Sequence, residues 1–551
     1  MYHDDKGKGG VVLVWKAEKP KNDVDSIPLY APGTAERELL LGELERLQKA
    51  PEEIPLFIGG RRSWEGEIQE IRSPADHRLI LGRARLAGEK EIDSAVESAL
   101  QAWKSWSSMP WRDRAAVFQK AADLLAGPRR TRNIASIMLN LSKTPYEAEI
   151  DLAELVDFWR FNAWYLHLLY GMQPEQARGE INRFDWRPLE GFVFAVSPFN
   201  FYSIAGNLPT APALAGNVAV WKPARAALAC NWEIMKVLEE AGLPAGVINF
   251  VPFSSRYAPR ILEHPDFAGL HFTGSYDTFM TLWRTIGKNV DLYRSFPRVV
   301  GETGGKDFAV VHASADPRIV AVSLLRGGFE YQGQKCSALS RAYIPESLWP
   351  EIRKILLEEI PRLRVGPTSD LGCFVGALID EDAYRKTVRY IEYALSRPEE
   401  YERVFGGSYR NEEGWFVEPT LFVTNNPHGK LMREEIFGPV VTVFVYPDER
   451  YGEILELCDS STPYALTGSI FARDREAIQK AACSLRFAAG NFYINDKPTG
   501  AIVGRQPFGG SRHSGTNDKA GFLNNITRWL SPRTIKETTV PPTDWRRPYL
   551  G

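Results

Sequence analysis

A regular alternation of short strand-like and longer helix-like stretches begins at residue 191. Helical periodicity fills the gaps between the β-branched and aromatic runs, at about 203–214, 228–241, 256–263 and 277–288. The runs themselves are GFVFAVSP (191–198), NVAVWKP (217–223), VINFVP (247–252) and GLHFTGS (269–275). Strands and helices at this spacing predict a parallel sheet with crossover helices.

A second series follows the first. It starts with RVVGETGGKDFAVV (298–311) and continues with helices near 316–328 and 348–359. Its further strands are SRAYIP (340–345), EEIFGPVVTVFVY (434–446), LTGSIFA (466–472) and GNFYIND (490–496). The chain is therefore predicted to form two α/β domains in series.

The regions outside the two series have other patterns. The first 60 residues resemble an arm with one helix near 35–49, and apolar spacing predicts helices over 91–106, 113–127 and about 145–170. The tail after 530 is rich in proline, and its TIKETTV segment predicts an edge strand or an oligomerisation arm.

Composition excludes several classes of protein. The 551 residues carry 67 Lys+Arg and 69 Asp+Glu, a net charge of −2, so no global charge favours nucleic acid or membrane. No run of 18 apolar residues predicts a membrane span, and the N-terminus lacks a secretory signal. Five scattered cysteines argue against a disulfide framework and favour a reducing intracellular compartment.

Familiar nucleotide, metal and hydrolase motifs are missing from the sequence. There is no GxxxxGK[ST], HExxH, CxxC, GxGxxG or GxSxG. No metal site is expected. A nucleotide would have to be bound through a phosphate-binding segment of another kind.

Cys336 has the most reactive sequence context of the five cysteines. It lies in FEYQGQKCSALSR, a Gly/Gln-rich loop entering a strand, where neighbouring Lys335 predicts a partly exposed thiol of lowered pKa. The alternative is a buried structural cysteine, which suits the helical contexts of Cys230, Cys458 and Cys483 better.

Two further side chains follow strands. Glu302, in VGETGGKDF, is placed to face a cleft as a general base, the alternative being a solvated strand-end acid. Asn200, in SPFNFYS, could donate to a developing oxyanion, the alternative being a turn or helix cap.

Other strand ends suggest a ligand site. Strands also end at Lys222 and at the segment FTGS, and open α/β sheets bind ligands at such ends. In FTGS, Gly274 and Ser275 lie at the start of a helix, where backbone N–H groups can bind a phosphate. In EEIFGPVV, Glu435 could accept from ribose hydroxyls and Phe437 could form an apolar wall.

Taken in order, SPFN, WKP, FTGS, GETGGK, GQKC and EEIFGPVV resemble the NAD(P)-dependent aldehyde dehydrogenase superfamily. The segments LEGFVFAVSPFNFYSIAGNL and INDKPTGAIVGRQPFGGSRHSGTNDKAG resemble its Δ1-pyrroline-5-carboxylate dehydrogenase branch, over nearly all the chain beyond about residue 35. The resemblance implies oxidation of L-glutamate γ-semialdehyde to L-glutamate with reduction of NAD+, the second step of proline catabolism.

The resemblance also implies roles for individual residues. Cys336 would be the nucleophile, Asn200 would stabilise the oxyanion and Glu302 would activate water for thioester hydrolysis. The dinucleotide would be held by Ser197, Lys222, Gly274, Ser275, Tyr276, Asp277, Thr278, Glu435 and Phe437. The substrate would be held by Phe201, Ser337, Gly500, Ala501 and Phe508.

The implied architecture is an α/β aldehyde dehydrogenase fold. The N-terminal arm, helices and Rossmann-like dinucleotide-binding domain would occupy 1–175 and 190–300, and the catalytic domain 301–520. An oligomerisation arm with the C-terminal tail would occupy 176–189 and 525–551. The partners expected are a small-molecule substrate and further copies of the chain, as a homodimer or higher homo-oligomer. The expected compartment is the mitochondrial matrix in a eukaryote and the cytoplasm otherwise.

Two positions and three alternatives remain open. Arg225 stands where NAD-preferring relatives often carry an acid, so NADP+ use is conceivable, and Ala501 stands where the branch commonly has serine. One alternative is an aldehyde dehydrogenase for another semialdehyde or an aliphatic aldehyde. The others are a thiol esterase using Cys336 and Glu302, and a non-catalytic role.

Overall fold

The strand–helix alternation predicted from residue 191 onward is present in the structure, a computed structural model that describes residues 18–551. The part of the predicted arm before residue 18 lies outside the described residues. Within the described part, the helices predicted near 35–49, 91–106, 113–127 and 145–170 are confirmed, each to within about two residues.

The α-helices include the long aromatic-rich helix before the first sheet and the crossovers of both sheets. In chain order they are α1 Ala35–Lys49, α2 Glu89–Trp106, α3 Trp111–Ala126, α4 Arg130–Leu141, α5 Pro145–Gly171, α6 Tyr202–Leu214, α7 Leu228–Ala241, α8 Ala258–Leu262, α9 Tyr276–Lys288, α10 Pro317–Phe329, α11 Trp349–Glu359, α12 Glu381–Leu395, α13 Lys430–Arg433, α14 Tyr451–Ser460, α15 Arg475–Ser484 and α16 Leu523–Arg528.

The β-strands are mostly short, as expected for buried parallel strands. In chain order they are β1 Glu52–Ile54, β2 Leu56–Ile58, β3 Arg61–Ser63, β4 Glu67–Ser73, β5 Asp76–Leu86, β6 Glu180–Pro188, β7 Phe192–Val196, β8 Val218–Lys222, β9 Ile248–Phe250, β10 Phe267–Thr273, β11 Arg298–Glu302, β12 Asp307–Val311, β13 Leu339–Pro345, β14 Tyr401–Phe405, β15 Tyr409–Arg410, β16 Phe416–Val417, β17 Thr420–Thr424, β18 Val440–Tyr446, β19 Tyr464–Ala465, β20 Thr467–Phe471, β21 Asn491–Ile494, β22 Ser511–Arg512 and β23 Leu530–Thr538.

The first large sheet has seven strands in the order β11-β10-β7-β8-β9-β2-β3. The five strands from β11 to β9 are parallel, and β2 and β3 complete the edge in antiparallel pairing. Strand β11 pairs with β10 from Arg298 to Glu302. The prediction that RVVGETGGKDFAVV opens the second series is therefore wrong for its first strand, because the chain leaves the first sheet only after Glu302.

The second large sheet also has seven strands, in the order β14-β17-β18-β13-β12-β20-β21, with only β14 antiparallel. Along β12, Phe308 and Val310 pack into one apolar cluster, whereas Ala309 and Val311 pack into another. Because side chains alternate along a strand, a run of apolar residues fills the cores on both faces of the sheet.

The tail segment predicted as an edge strand or arm is a strand. Strand β23 pairs antiparallel with β6 along its whole length, from Leu530 opposite Pro188 to Thr538 opposite Glu180. The two strands form a ribbon of their own outside both large sheets. The domain boundaries stay a prediction.

No helix among residues 18–551 combines the length and the apolar character needed to span a bilayer. Over the same residues no group of three or more His, Cys, Asp or Glu side chains is arranged to hold a metal ion.

Candidate active site

The carboxyl ends of the parallel strands of the first sheet bring four predicted site residues to one edge. Lys222 ends β8 and Glu302 ends β11, whereas Asn200 and Ser275 follow β7 and β10. Parallel strands place all such ends on the same side, which is where open α/β sheets bind ligands.

The loop that carries Cys336 is rigidly anchored. It begins with two left-handed residues, Tyr331 (φ 52°) and Gln332 (φ 55°), a conformation that costs non-glycine residues energy and must be held by surrounding contacts. The Gln332 side-chain amide donates to the carbonyls of Ser142 (3.0 Å) and Ala377 (2.9 Å), and its oxygen accepts from the Gly376 N–H. These bonds fix the turn from α10 into the Cys336 loop.

The thiol of Cys336 is partly exposed, as predicted, but its pKa is not lowered. Burial, followed by the carboxylates of Asp307, Glu435 and Glu302, raises the pKa of Cys336 well above its ordinary value. The predicted lowering is wrong because burial of the thiol and the nearby carboxyl groups raise the pKa. Lys335 is paired with Glu330 at 3.2 Å and with Glu147 at 3.5 Å. Cys230 and Cys458, which lie in helices, are buried and fit a structural role, whereas the helical Cys483 is exposed.

Asn200 lies beside the Cys336 loop. Its side-chain N–H donates to the backbone carbonyl of Gln334 at 3.0 Å, and the side chain is buried. A carboxamide carries two donor hydrogens, so one remains after this bond. The structure therefore brings an amide donor next to the loop of the candidate nucleophile.

Glu302 lies at the end of β11 and is partly exposed. Its Oε2 accepts from the Gly510 N–H at 3.3 Å, and burial is the main reason why its pKa is raised well above the ordinary value. It also contributes to the raised pKa of Cys336, so the two groups interact electrostatically. A carboxyl with a raised pKa is a suitable general base once it is ionised.

One cavity of about 280 Å³ brings together Cys336 and all five predicted substrate residues. These residues are Phe201, Ser337, Gly500, Ala501 and Phe508. Ser337 donates from its hydroxyl to Thr499 at 2.9 Å, which ties the Cys336 loop to the loop before Ala501.

The features expected of a phosphate site lie at the first-sheet edge. Lys222 is partly exposed at the end of β8, with no salt-bridge partner among residues 18–551, and its partial burial lowers its pKa to about 8. Ser275 caps α9, accepting from the Thr278 N–H at 3.3 Å. The Lys222 ammonium and the helix N-terminus together suit the pyrophosphate of a dinucleotide, so these residues fit an NAD molecule.

The other predicted dinucleotide residues surround these two. Asp277 and Thr278 lie in the first turn of α9 beyond Gly274, and the Tyr276 ring stacks on His513 with centroids 4.1 Å apart. Ser197, which follows β7, accepts a hydrogen bond from the Trp221 indole at 2.9 Å.

Glu435 and Phe437 lie on the segment before β18. Glu435 is partly exposed, and its Oε1 accepts from the Gly305 N–H at 2.9 Å, so this side chain holds the loop that follows Glu302. Phe437 has φ 64° and meets Phe199 edge to face with centroids 5.9 Å apart. A bulky residue in the left-handed region is uncommon and often marks a functional site.

Arg225 is not free in the structure. Its Nε donates to the Gln69 side chain at 2.6 Å. The use of NADP+ that was inferred from this residue stays a prediction.

Sequence reasoning missed several charged residues of the cavity. Asp151, Glu154 and Asp157 line it from α5, and Lys335 and Lys497 line it from two loops. The three acids stand three residues apart along α5, so they share a face, and that spacing could have revealed them. Burial raises the pKa of Glu154 to about 8.

Known proteins resemble the chain over almost its whole length. Residues 62–535 match the pattern described as "Aldehyde dehydrogenase family". The mitochondrial Delta-1-pyrroline-5-carboxylate dehydrogenase of Mus musculus is 46% identical over 545 residues, which cover 98% of this chain and 97% of that protein. The mitochondrial protein of that name from Homo sapiens is 45% identical over 98% of this chain and 97% of its own length.

A solved structure agrees with these relatives. The crystal structure of the Delta-pyrroline-5-carboxylate dehydrogenase from Mycobacterium tuberculosis bound with NAD superposes with a TM-score of 0.93 at 48% identity, and the match covers 97% of this chain and 98% of that one. The predicted resemblance and fold class are thus confirmed. The chain belongs to the aldehyde dehydrogenase family.

Proposed function

We propose that the chain oxidises L-glutamate γ-semialdehyde, formed by hydrolysis of Δ1-pyrroline-5-carboxylate, to L-glutamate with reduction of NAD+, the second step of proline catabolism. The observation that carries this proposal is the cavity, in which Cys336 stands among side chains of both charge signs. The near full-length similarity to proteins named for this substrate supports the same function.

The first chemical stage belongs to Cys336 and Asn200. Cys336, after releasing its thiol proton to solvent, attacks the aldehyde carbon as the thiolate, forming a C–S bond and moving an electron pair onto the aldehyde oxygen. The remaining N–H of Asn200, with the backbone N–H of Cys336, stabilises that oxyanion. When bound, NAD+ supplies the acceptor for the hydride that leaves this carbon, so that a thioester remains on Cys336.

The second stage belongs to Glu302. Its carboxylate takes a proton from water while the water oxygen bonds to the thioester carbon. The C–S bond then breaks, releasing the carboxylate product and the Cys336 thiolate. Glu302 and Cys336 already interact electrostatically in the ligand-free protein.

The charges of the cavity suit an amino-acid aldehyde, which carries a carboxylate and an ammonium. The cavity is lined by three cations, Arg326, Lys335 and Lys497. Their salt-bridge partners are two carboxyl groups, Glu330 and, 3.5 Å from Lys335, Glu147. That side therefore favours an anion. On the α5 side, a bound ammonium would favour the ionised form of Glu154, whose pKa burial raises to about 8 in the ligand-free protein, so a zwitterion is matched at both ends.

Members of this family that act on other aldehydes remain the nearest alternative. We expect kcat/KM, followed by absorbance of reduced nicotinamide, to be highest for glutamate γ-semialdehyde and lower for succinate semialdehyde and propanal. Equal or faster turnover of the uncharged aldehyde would contradict the substrate assignment. Ester cleavage without nicotinamide reduction would instead favour a thiol esterase.

The protein is further proposed to be a homodimer or higher homo-oligomer. The ribbon of β6 and β23 supports this, since it lies outside both large sheets and the side chains of β23 are mostly exposed. Sedimentation of the full chain tests the assembly, and a monomer at micromolar concentration would contradict it. The proposed compartment is the mitochondrial matrix in a eukaryote and the cytoplasm otherwise.

A further inference from the structure

One peptide unit connects the candidate base Glu302 to a lysine that neither the motifs nor the proposed steps use. The N–H of Gly510 donates to Glu302 Oε2 at 3.3 Å, and the carbonyl of Gly509 accepts from Lys519 Nζ at 3.0 Å. The carbonyl of residue 509 and the N–H of residue 510 belong to the same planar peptide. Lys519 therefore bonds to the carbonyl of the peptide whose N–H bonds to Glu302.

The surroundings fix this peptide closely. Lys519 Nζ also donates to the Gly490 carbonyl at 2.8 Å, which ties the peptide to the start of β21. A Cβ built on Gly509 would lie 3.0 Å from Glu302 Oε1, so residue 509 packs directly against the carboxyl group. Residues 514 and 515 pair with Glu302 and Thr303 on the other side.

The charges facing Glu302 differ in sign. Asp518 raises the pKa of Glu302 and Lys519 lowers it, against a larger increase caused by burial. Asp518 is paired with Arg528 at 3.1 Å, and Cys336 is the titratable group across the cavity. Lys519 has only backbone carbonyls and the Asn491 amide oxygen as hydrogen-bond acceptors among the described residues. Its charge is therefore not neutralised by a bonded carboxylate.

We propose that Lys519 is a positioning residue for thioester hydrolysis, which orients Glu302 through the 509–510 peptide and favours its ionised form. A cation bonded to the carbonyl of a peptide polarises its N–H and strengthens the bond that the N–H makes. The ammonium itself also favours the carboxylate through space. This inference rests on the proposed function, because it assigns a supporting group to its second stage.

The sign of the pH effect follows directly. Removing the Lys519 charge raises the pKa of Glu302, so less carboxylate is present at neutral pH and hydrolysis requires a higher pH. Below that pKa the ionised fraction falls about tenfold for each unit of increase. Formation of the thioester does not use Glu302 and should be retained.

The test compares wild type, Lys519→Met, Lys519→Arg and Asp518→Asn with Δ1-pyrroline-5-carboxylate and NAD+. Rapid mixing measures the burst of reduced nicotinamide, the steady rate is followed against pH, and intact-protein mass measures the acyl group on the enzyme. We expect Lys519→Met to keep the burst, accumulate acyl-enzyme and move the midpoint of the steady rate to higher pH. Lys519→Arg keeps the charge and should restore most of the rate.

Asp518→Asn should change the pKa of Glu302 in the opposite direction, because it removes a negative charge that raises this pKa. Its midpoint should move to lower pH, which general damage to the fold would not cause. Lys354→Met, on the exposed face of α11, is the matched control and should match wild type. An unchanged pH profile in Lys519→Met, or a lost burst with no acyl-enzyme, would overturn the inference. Failure of the wild type to reduce NAD+ would instead contradict the proposed function.

Discussion

At the scale of residues, burial is the main determinant of the resting state of Cys336. Burial first, and then the carboxyl groups of Asp307, Glu435 and Glu302, raise the pKa of the thiol. The thiolate is the nucleophile. We therefore expect the thiolate to form as substrate and dinucleotide bind.

Ala501 is a second residue whose consequences can be measured. It lines the cavity beside Gly500, where the related branch commonly has serine. A serine hydroxyl would add a hydrogen bond to a charged carboxylate, worth about 1.5–3 kcal/mol, or about 10–100-fold in affinity. We predict that Ala501→Ser lowers the KM for glutamate γ-semialdehyde with little effect on kcat. The substrate carboxylate would be bound equally in the ground state and in the transition state, so the added hydrogen bond would not change the barrier between them.

Steady-state kinetics, with propanal as the control substrate, measures this effect. An unchanged KM for the semialdehyde would mean that a water molecule already supplies the missing donor.

The candidate nucleophile, base and amide could be chosen from the sequence because each follows a strand or lies in a Gly-rich loop. The pKa of Cys336 could not, because it depends on the burial of the thiol in the folded chain and on carboxyl groups from distant segments. The role proposed for Lys519 could not be predicted from the sequence either, because it depends on a peptide that only the folded chain places against Glu302.

At the scale of elements, the periodicity of apolar residues predicted ten of the sixteen helices among residues 18–551 and most parallel strands of both sheets. It missed α4 and α12 to α16, and the strands β2, β3, β14 and β17. It could not predict which sheet a strand joins. Strand β11 joins the first sheet by pairing with β10, and β2 reaches the same sheet from a distant part of the chain. Such pairings depend on tertiary packing rather than on local sequence.

The strap, defined as residues 22–26, is an element that no motif indicated. The Asn22 side chain donates to Asp157 at 2.9 Å and to the Val503 carbonyl at 2.8 Å, and Val24 lines the cavity. It lies outside the segment 62–535 that matches the family. The strap thus joins α5 to the loop after Ala501 and forms part of the cavity wall.

We predict that Asn22→Ala raises the KM for glutamate γ-semialdehyde and leaves kcat nearly unchanged. Loss of two hydrogen bonds of about 0.5–1.5 kcal/mol each loosens the wall without touching the reacting groups. The matched control is Ser26→Ala, whose hydroxyl bonds only within the strap. Equal KM values for the two variants would show that the strap does not shape the site.

At the scale of the whole molecule, the site is built where the two large sheets meet. Glu302 ends the edge strand of the first sheet, and the chain enters β12 of the second only five residues later. Cys336 lies in the loop between α10 and β13, and the long-range contact of Asn200 with Gln334 joins the two series. The fold thereby holds the predicted dinucleotide site next to Cys336. A reaction in which the dinucleotide and the nucleophile act on the same carbon requires this arrangement.

The central claim is that Cys336 carries NAD-dependent oxidation of glutamate γ-semialdehyde. The most direct measurement is the absorbance of reduced nicotinamide when Δ1-pyrroline-5-carboxylate and NAD+ are mixed with wild type, Cys336→Ala and the control Cys230→Ala, a buried helical cysteine. Wild type and Cys230→Ala should form reduced nicotinamide at similar rates, whereas Cys336→Ala should form none and still bind NAD+. Turnover by Cys336→Ala at a rate near that of wild type would contradict the account.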